Sequence, residues 1–185
     1  MKNSPSFTHL LKVGLISIAA LMGGCTQGDW RTASREPAGI APDPSNVKHA
    51  VIEFYAADAF GWRGWFAVHT WFAIKPENAN EYTVYEVVGW RVNRGQPALY
   101  QYQTGTPDRY WYGAKPEKIL SIQGEKADKL IPKIQSVINQ YPWAEAYTLF
   151  PGPNSNTFPA WVGKQIPELE LDLPFRAIGS GYSNE

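Results

Sequence analysis

One cysteine, Cys25, is all that the 185 residues contain, and methionine and histidine are nearly as scarce, at two and three. A lone thiol closes no disulfide within the chain and joins no other thiolate around a zinc ion. Neither sign of charge is in excess, with 17 Lys and Arg against 17 Asp and Glu, so there is no basic footprint for a nucleic-acid backbone. A phosphate-cradling GxxxxGKS/T loop, an HExxH motif and an EF-hand pattern are also missing, so nothing in the sequence points to a metal or a cofactor.

What is present begins with export. Lys2 and Lys12 precede an uncharged apolar run at 13–22 (VGLISIAALM). Its length suits the ~7–15 residues of a signal peptide's hydrophobic segment and falls short of the ~20 of a spanning helix. The run ends in Leu21-Met22-Gly23-Gly24-Cys25, which resembles the lipobox of bacterial lipoproteins. That resemblance implies cleavage before Cys25, a diacylglycerol on its thiol and acylation of the new amino group. Several such chains hold a protein stably on a bilayer, at ~0.8 kcal/mol per buried CH₂. Thr26 stands where an aspartate commonly signals inner-membrane retention in that class, so the outer membrane, facing the periplasm, is the expected location.

Removal of residues 1–24 leaves 15 basic against 17 acidic side chains. Residues 26–46 (TQGDWRTASREPAGIAPDPSN) combine Pro, Gly, Ser, Ala and charge without apolar periodicity and read as a linker. As a flexible coil it averages roughly 25 Å end to end. The expected division is a signal peptide at 1–24, a lipid-anchored linker at 25–46 and one globular domain at 47–185.

In that domain, residues 51–57 (VIEFYAA), 64–75 (GWFAVHTWFAIK), 82–92 (YTVYEVVGWRV) and 98–103 (ALYQYQ) are rich in aromatic and β-branched residues. They read as strands of a meander. After a loop, Ala127, Leu130, Ile131, Ile134, Val137 and Ile138 fall at helical spacing within 125–140, where Pro132 is expected to break or kink the helix. A second stripe, Phe158, Trp161, Val162 and Ile166, follows Pro151-Gly152-Pro153, with Asn154 or Ser155 as its N-cap. Strands first and helices after make an α+β fold, an antiparallel sheet with packed helices.

Alternation sets Trp65, Ala67, His69, Trp71 and Ala73 on one strand face, and His69 there is either a shielded core histidine or a base. Glu86 is awkward beside Val84, Val88 and Trp90 unless it has a partner. Pairing of 64–75 with 82–92 as a hairpin brings it near residue 69. It then either orients the imidazole or forms a buried salt bridge with Arg63, Arg91 or Arg109. The segment Asn154-Ser155-Asn156-Thr157-Phe158 opens a helix whose free N–H groups favour an anion, an oxyanion or an activated nucleophile, unless the polar side chains simply cap it. The PDRYWYG stretch at 107–113 is either a core-filling loop with an Asp108–Arg109 pair or a set of rings that stack on a sugar.

A histidine on a strand followed by a small nucleophile at a helix start resembles the circularly permuted papain-like group, which includes NlpC-type hydrolases and lecithin-retinol acyltransferase relatives. The resemblance implies a permuted papain-like fold with Ser155 as nucleophile, His69 as base and Glu86 as third member. Serine in place of that group's cysteine departs from the pattern, because a hydroxyl needs a well-aligned base to attack. Over most of 50–182 the chain is similar to the uncharacterised bacterial domain-of-unknown-function family 3750. The similarity rests on Gly61-Trp62-Arg63-Gly64 through Ala67-Val68-His69-Thr70-Trp71, then Tyr85-Glu86-Val87-Val88-Gly89-Trp90, Pro107 to Gly113, and Pro151 to Phe158. It implies no established activity. Two functional readings follow. One is a non-catalytic envelope binding module whose pocket, around Asn154, Asn156, Thr157, Trp71, Asp108 and Arg109, takes a glycan, peptide or protein, with peptidoglycan a candidate. The alternative is a hydrolase or acyltransferase that acts on an envelope amide or ester through Ser155 and His69.

Overall fold

Seven of the eight residues of β1 (Val51–Asp58) are buried, and β2 (Val68–Lys75) beside it is buried throughout. Strands buried along their whole length need cover on both faces, and the fold supplies it. The computed structural model of the chain describes residues 29–183, so the segment expected to be a signal peptide, 1–24, and Cys25 lie outside the described residues. Strands β3 (Tyr82–Val87) and β4 (Leu99–Thr104) extend the meander to one edge, and β5 (Glu117–Gln123) returns to pair with β1 at the other. The order is β4-β3-β2-β1-β5, with every neighbouring pair antiparallel. A single turn, α1 (Gly89–Val92), follows β3, and the longer helices α2 (Glu125–Ile138) and α3 (Thr157–Gln165) follow the sheet. The fold is α+β.

One sheet face carries Ile52, Phe54, Phe72, Ile74, Tyr85 and Val87, which pack against Leu130, Ile131 and Ile134 of α2 and Phe158 and Val162 of α3. The other carries Tyr55, Trp71, Ala73, Val84 and Val88 together with Trp111. Among the described residues neither long helix packs on this second face. Its cover is irregular chain, with Ile40 and Val47 packed on the cluster and the Tyr82 hydroxyl donating to the Pro42 carbonyl at 2.9 Å.

Several expectations change. The segment read as a linker is docked over residues 29–46. The Asp108 carboxylate accepts the N–H groups of Ile40 (2.6 Å) and Ala41 (3.1 Å), and Pro37 bridges to Arg109. Such bonds to a buried charge are what an apolar-periodicity test cannot see. The predicted strand at 64–75 starts only at Val68, because Gly61–Trp65 forms a 3-10 turn. A Cβ on Gly64 would stand 2.6 Å from the Ala59 carbonyl, so that close turn admits glycine alone. The strand at 82–92 likewise stops at Val87, where Gly89 lets the chain bend against the Tyr147 ring. β5 was read as loop because only Ile122 in it is buried; an edge strand with charged residues is polar by nature.

Pro132 neither breaks nor ends α2. It lies on the exposed side of the helix, so the Asp128 carbonyl left without its i+4 donor faces water. The buried stripe Ala127, Leu130, Ile131, Ile134 and Ile138 holds the helix to the sheet.

Candidate functional site

His69 and Glu86 meet as the hairpin predicts. Register pairs Phe72 with Tyr85 and Ala73 with Val84, which sets Glu86 diagonally across from His69 on the same face. The imidazole Nε2 lies 3.2 Å from Glu86 Oε2. Glu86 also meets the salt-bridge alternative, since its Oε1 accepts from Arg109 Nη2 at 2.6 Å and from the Tyr100 hydroxyl. Arg109 Nε in turn donates to the Tyr102 hydroxyl at 3.0 Å. The carboxylate is fully enclosed.

These contacts decide the charges. Burial pushes the Glu86 carboxyl upward, but the hydrogen bond from His69 and the Arg109 charge outweigh it and bring it down to about 2. Burial lowers the His69 pKa, and the help it receives from Glu86 does not restore it. His69 is therefore neutral near pH 7, with its proton on Nε2 toward the carboxylate and a lone pair on Nδ1. The ring is nearly parallel to Trp111, with 3.5 Å between centroids and 5° between planes. Arg109 stays charged: burial works against it, and Glu86 more than offsets that. The cluster is a neutral histidine on a balanced ion pair.

Ser155 belongs to a different place. The Thr70 hydroxyl donates to its carbonyl at 3.1 Å and to Asn156 Oδ1 at 3.0 Å, and Thr70 leaves β2 on the face opposite His69. Among the described residues no hydrogen bond joins Ser155 to His69. The neighbours of Ser155 are consumed in structure. Asn154 Oδ1 accepts the N–H of Asn156 (2.9 Å) and Thr157 (3.3 Å); the N-cap position is Asn156 and not Asn154 or Ser155 as expected, so Asn154 braces the turn ahead of the helix. Its Nδ2 donates to the carbonyls of Leu149 and Ile178, and Asn156 Nδ2 donates to those of Val68 and Ile178. Thr157 Oγ1 donates to the Gly179 carbonyl at 2.7 Å. The polar cluster stitches the loop before α3, the start of β2 and the C-terminal tail together.

The residues grouped around a pocket by sequence separate accordingly. Asn154, Asn156, Thr157, Trp71 and Asp108 are buried, and Trp71 Nε1 donates to the Pro107 carbonyl at 2.9 Å. Asp108 does not pair with Arg109; it holds the docked N-terminal segment. Arg109 alone of the group lines an open hollow of about 280 Å³, together with Arg35, Trp90, Tyr100, Tyr102 and Tyr112. Arg35 stacks on Tyr112 at 4.2 Å, and Trp90 meets Tyr112 edge-on. Tyr112 belongs to the 107–113 stretch read as rings that could stack on a sugar, but sequence reasoning did not single out Arg35, Tyr100 or Tyr102. The alternation in Tyr100-Gln101-Tyr102 was the legible signal, since it puts both phenols on the face of Glu86; Arg35 had none, lying in the segment read as linker.

A second buried carboxylate lies on the same face. Glu53 accepts from the Tyr55 hydroxyl and from Ser121 Oγ, and it pairs with Lys118 at 2.7 Å. Among the described residues no three His, Cys, Asp or Glu side chains come together as metal ligands, and no helix is long and apolar enough to cross a membrane.

No curated protein and no solved structure is significantly similar to the chain. Residues 49–182 match the model of the family described as "Protein of unknown function (DUF3750)", and the chain belongs to that family.

Proposed function

We propose that this is an exported, lipid-anchored binding module of the cell envelope, and that the hollow beside β4 takes an anionic glycan such as a peptidoglycan fragment. One observation carries the reading: aromatic rings and two guanidinium groups converge on one open hollow. Rings of this kind stack on the apolar face of a sugar, and a planar guanidinium suits a carboxylate. The Arg109 charge is already matched by Glu86, which leaves Arg35 to attract the anion. A volume near 280 Å³ is at the lower end for small-ligand sites and fits about one sugar ring.

A binder rather than a hydrolase is supported by the fate of Ser155. Its carbonyl is tied to Thr70 on the far side of β2 from His69, whereas nucleophilic catalysis requires hydroxyl and base within about 3 Å. The test is to incubate the chain starting at Asp29 with a panel of peptidoglycan fragments and model esters, following binding by calorimetry and products by mass spectrometry. Saturable binding without new products is expected. Turnover that disappears in both Ser155→Ala and His69→Ala, with both variants folded, would replace this reading by the hydrolase.

A further inference from the structure

We propose that the end of the sheet where β2 begins is a membrane-contact surface that settles into the interfacial zone of a phospholipid bilayer. Antiparallel pairing brings the last residues of β1 and β3 and the first of β2, β4 and β5 to this one end. The segments beyond them turn large apolar side chains outward: Trp62, Trp65 and Phe66 between β1 and β2, Trp90 in α1, Phe150 ahead of α3, and Phe175 in the tail. Trp65 is 76% exposed, Phe150 74%, and Phe175 fully. Hydrogen bonds place the last two here. The Val68 N–H donates to the Arg176 carbonyl at 3.0 Å. Asn156 holds the Val68 carbonyl, and Asn154 holds that of Leu149, both at 3.0 Å.

A singly exposed ring carries no meaning on its own, but rings gathered from separate segments mark an interaction surface. Two further observations select a bilayer as the occupant. Arginines stand among the rings, Arg63 in the same turn as Trp62 and Arg91 beside Trp90. Aromatic rings at headgroup depth with arginines reaching to the phosphates are the composition of a membrane interface. The chain also arrives at this end. Arg35 donates to the Trp30 carbonyl at 3.0 Å and stacks on Tyr112, whose ring meets that of Trp90 at 5.9 Å. Residues 26–28 are all that separates Cys25 from Asp29, at most ~14 Å of chain. A lipid on Cys25, the anchor the lipobox implies, is thus tethered to the aromatic end and not to the opposite one.

The inference rests on the reading that a lipid on Cys25 anchors the chain to a membrane, and adds which surface of the domain meets it. It would also set the mouth of the hollow, at Trp90 and Tyr112, beside the headgroups. The test uses the full chain, with tryptophan replaced by 5-fluorotryptophan, on vesicles of phosphatidylethanolamine and phosphatidylglycerol that contain a lipid spin-labelled near the headgroup. Fluorine signals are assigned with single Trp→Phe variants. The Trp62 and Trp65 signals are expected to lose most of their intensity, while those of the buried Trp71 and Trp111 keep theirs. A chain that floats with the vesicles but keeps the Trp62 and Trp65 signals overturns the contact and leaves the anchor standing. A chain that does not float overturns both.

Discussion

Three side chains, His69, Tyr100 and Arg109, converge on the enclosed carboxylate of Glu86. Such a group is strongly stabilising only while all its partners stay. Glu86→Gln strands Arg109 without its counter-charge, and breaking a buried pair from one side costs about 3–5 kcal/mol. Urea denaturation of that variant should show a loss in this range, and Arg109→Met added to it should recover part of the loss. The same cluster fixes a pH dependence. The folded pKa of His69 lies below that of the free side chain, so below about pH 6.5 the unfolded chain binds more protons and stability is lost as pH drops. Glu86, at about 2 against an ordinary 4.5, adds a second decline as pH drops from about 4.5 towards 2. Denaturation midpoints measured from pH 7.5 to 3 should fall as pH drops through both windows, and His69→Gln should flatten the upper one while the lower, which Arg109 and Tyr100 also sustain, shrinks but remains. A midpoint that rises on acidification between pH 7 and 5 would contradict this assignment.

Among the elements, α2 holds a proline that its packing tolerates. Because Pro132 is exposed and the stripe beneath it is complete, Pro132→Ala should return the missing hydrogen bond and stabilise the protein by about 1–3 kcal/mol, read from thermal melting. The start of α3 makes a sharper contrast. Asn154→Ala removes two bonds from N–H groups at the turn ahead of α3 and two bonds to carbonyls and should cost about 2–3 kcal/mol, whereas Ser155→Ala, which keeps the bond from Thr70 to the residue 155 carbonyl, should cost about 1 kcal/mol or less. The φ of +94° at Gly179, where a Cβ would overlap the Asn154 amide, marks the same tight junction. Legibility in the sequence follows from local physics. Strands β1 to β4, both long helices and the approach of Glu86 to His69 are written in periodicity and hairpin pairing. The 3-10 turn at Gly61–Trp65 and the bend at Gly89 depend on close contacts with the Ala59 carbonyl and the Tyr147 ring, and local pattern does not encode these. β5 and the docked residues 29–46 draw on partners far along the chain, Val51–Ala56 and Asp108.

For the whole molecule, the sheet divides the labour. Its helix-covered face supplies the apolar core, and its strap-covered face houses the buried carboxylates of Glu53 and Glu86 and opens at Arg35, Trp90 and Tyr112. That division separates Ser155 from His69, although the two are the natural partners by sequence type. Removal of residues 29–41 should therefore do two things at once: expose the Asp108 carboxylate that they cover, and delete Arg35 from the hollow. The account stands or falls on where a ligand sits. The most direct measurement is a fluorescence titration of an anionic peptidoglycan fragment into the chain starting at Asp29, in parallel with Arg35→Ala, Trp90→Ala and Ser155→Ala. The account predicts affinity weakened about tenfold or more by each of the first two changes and unmoved by the third. Binding that survives Arg35→Ala and Trp90→Ala but is lost in Ser155→Ala would contradict it.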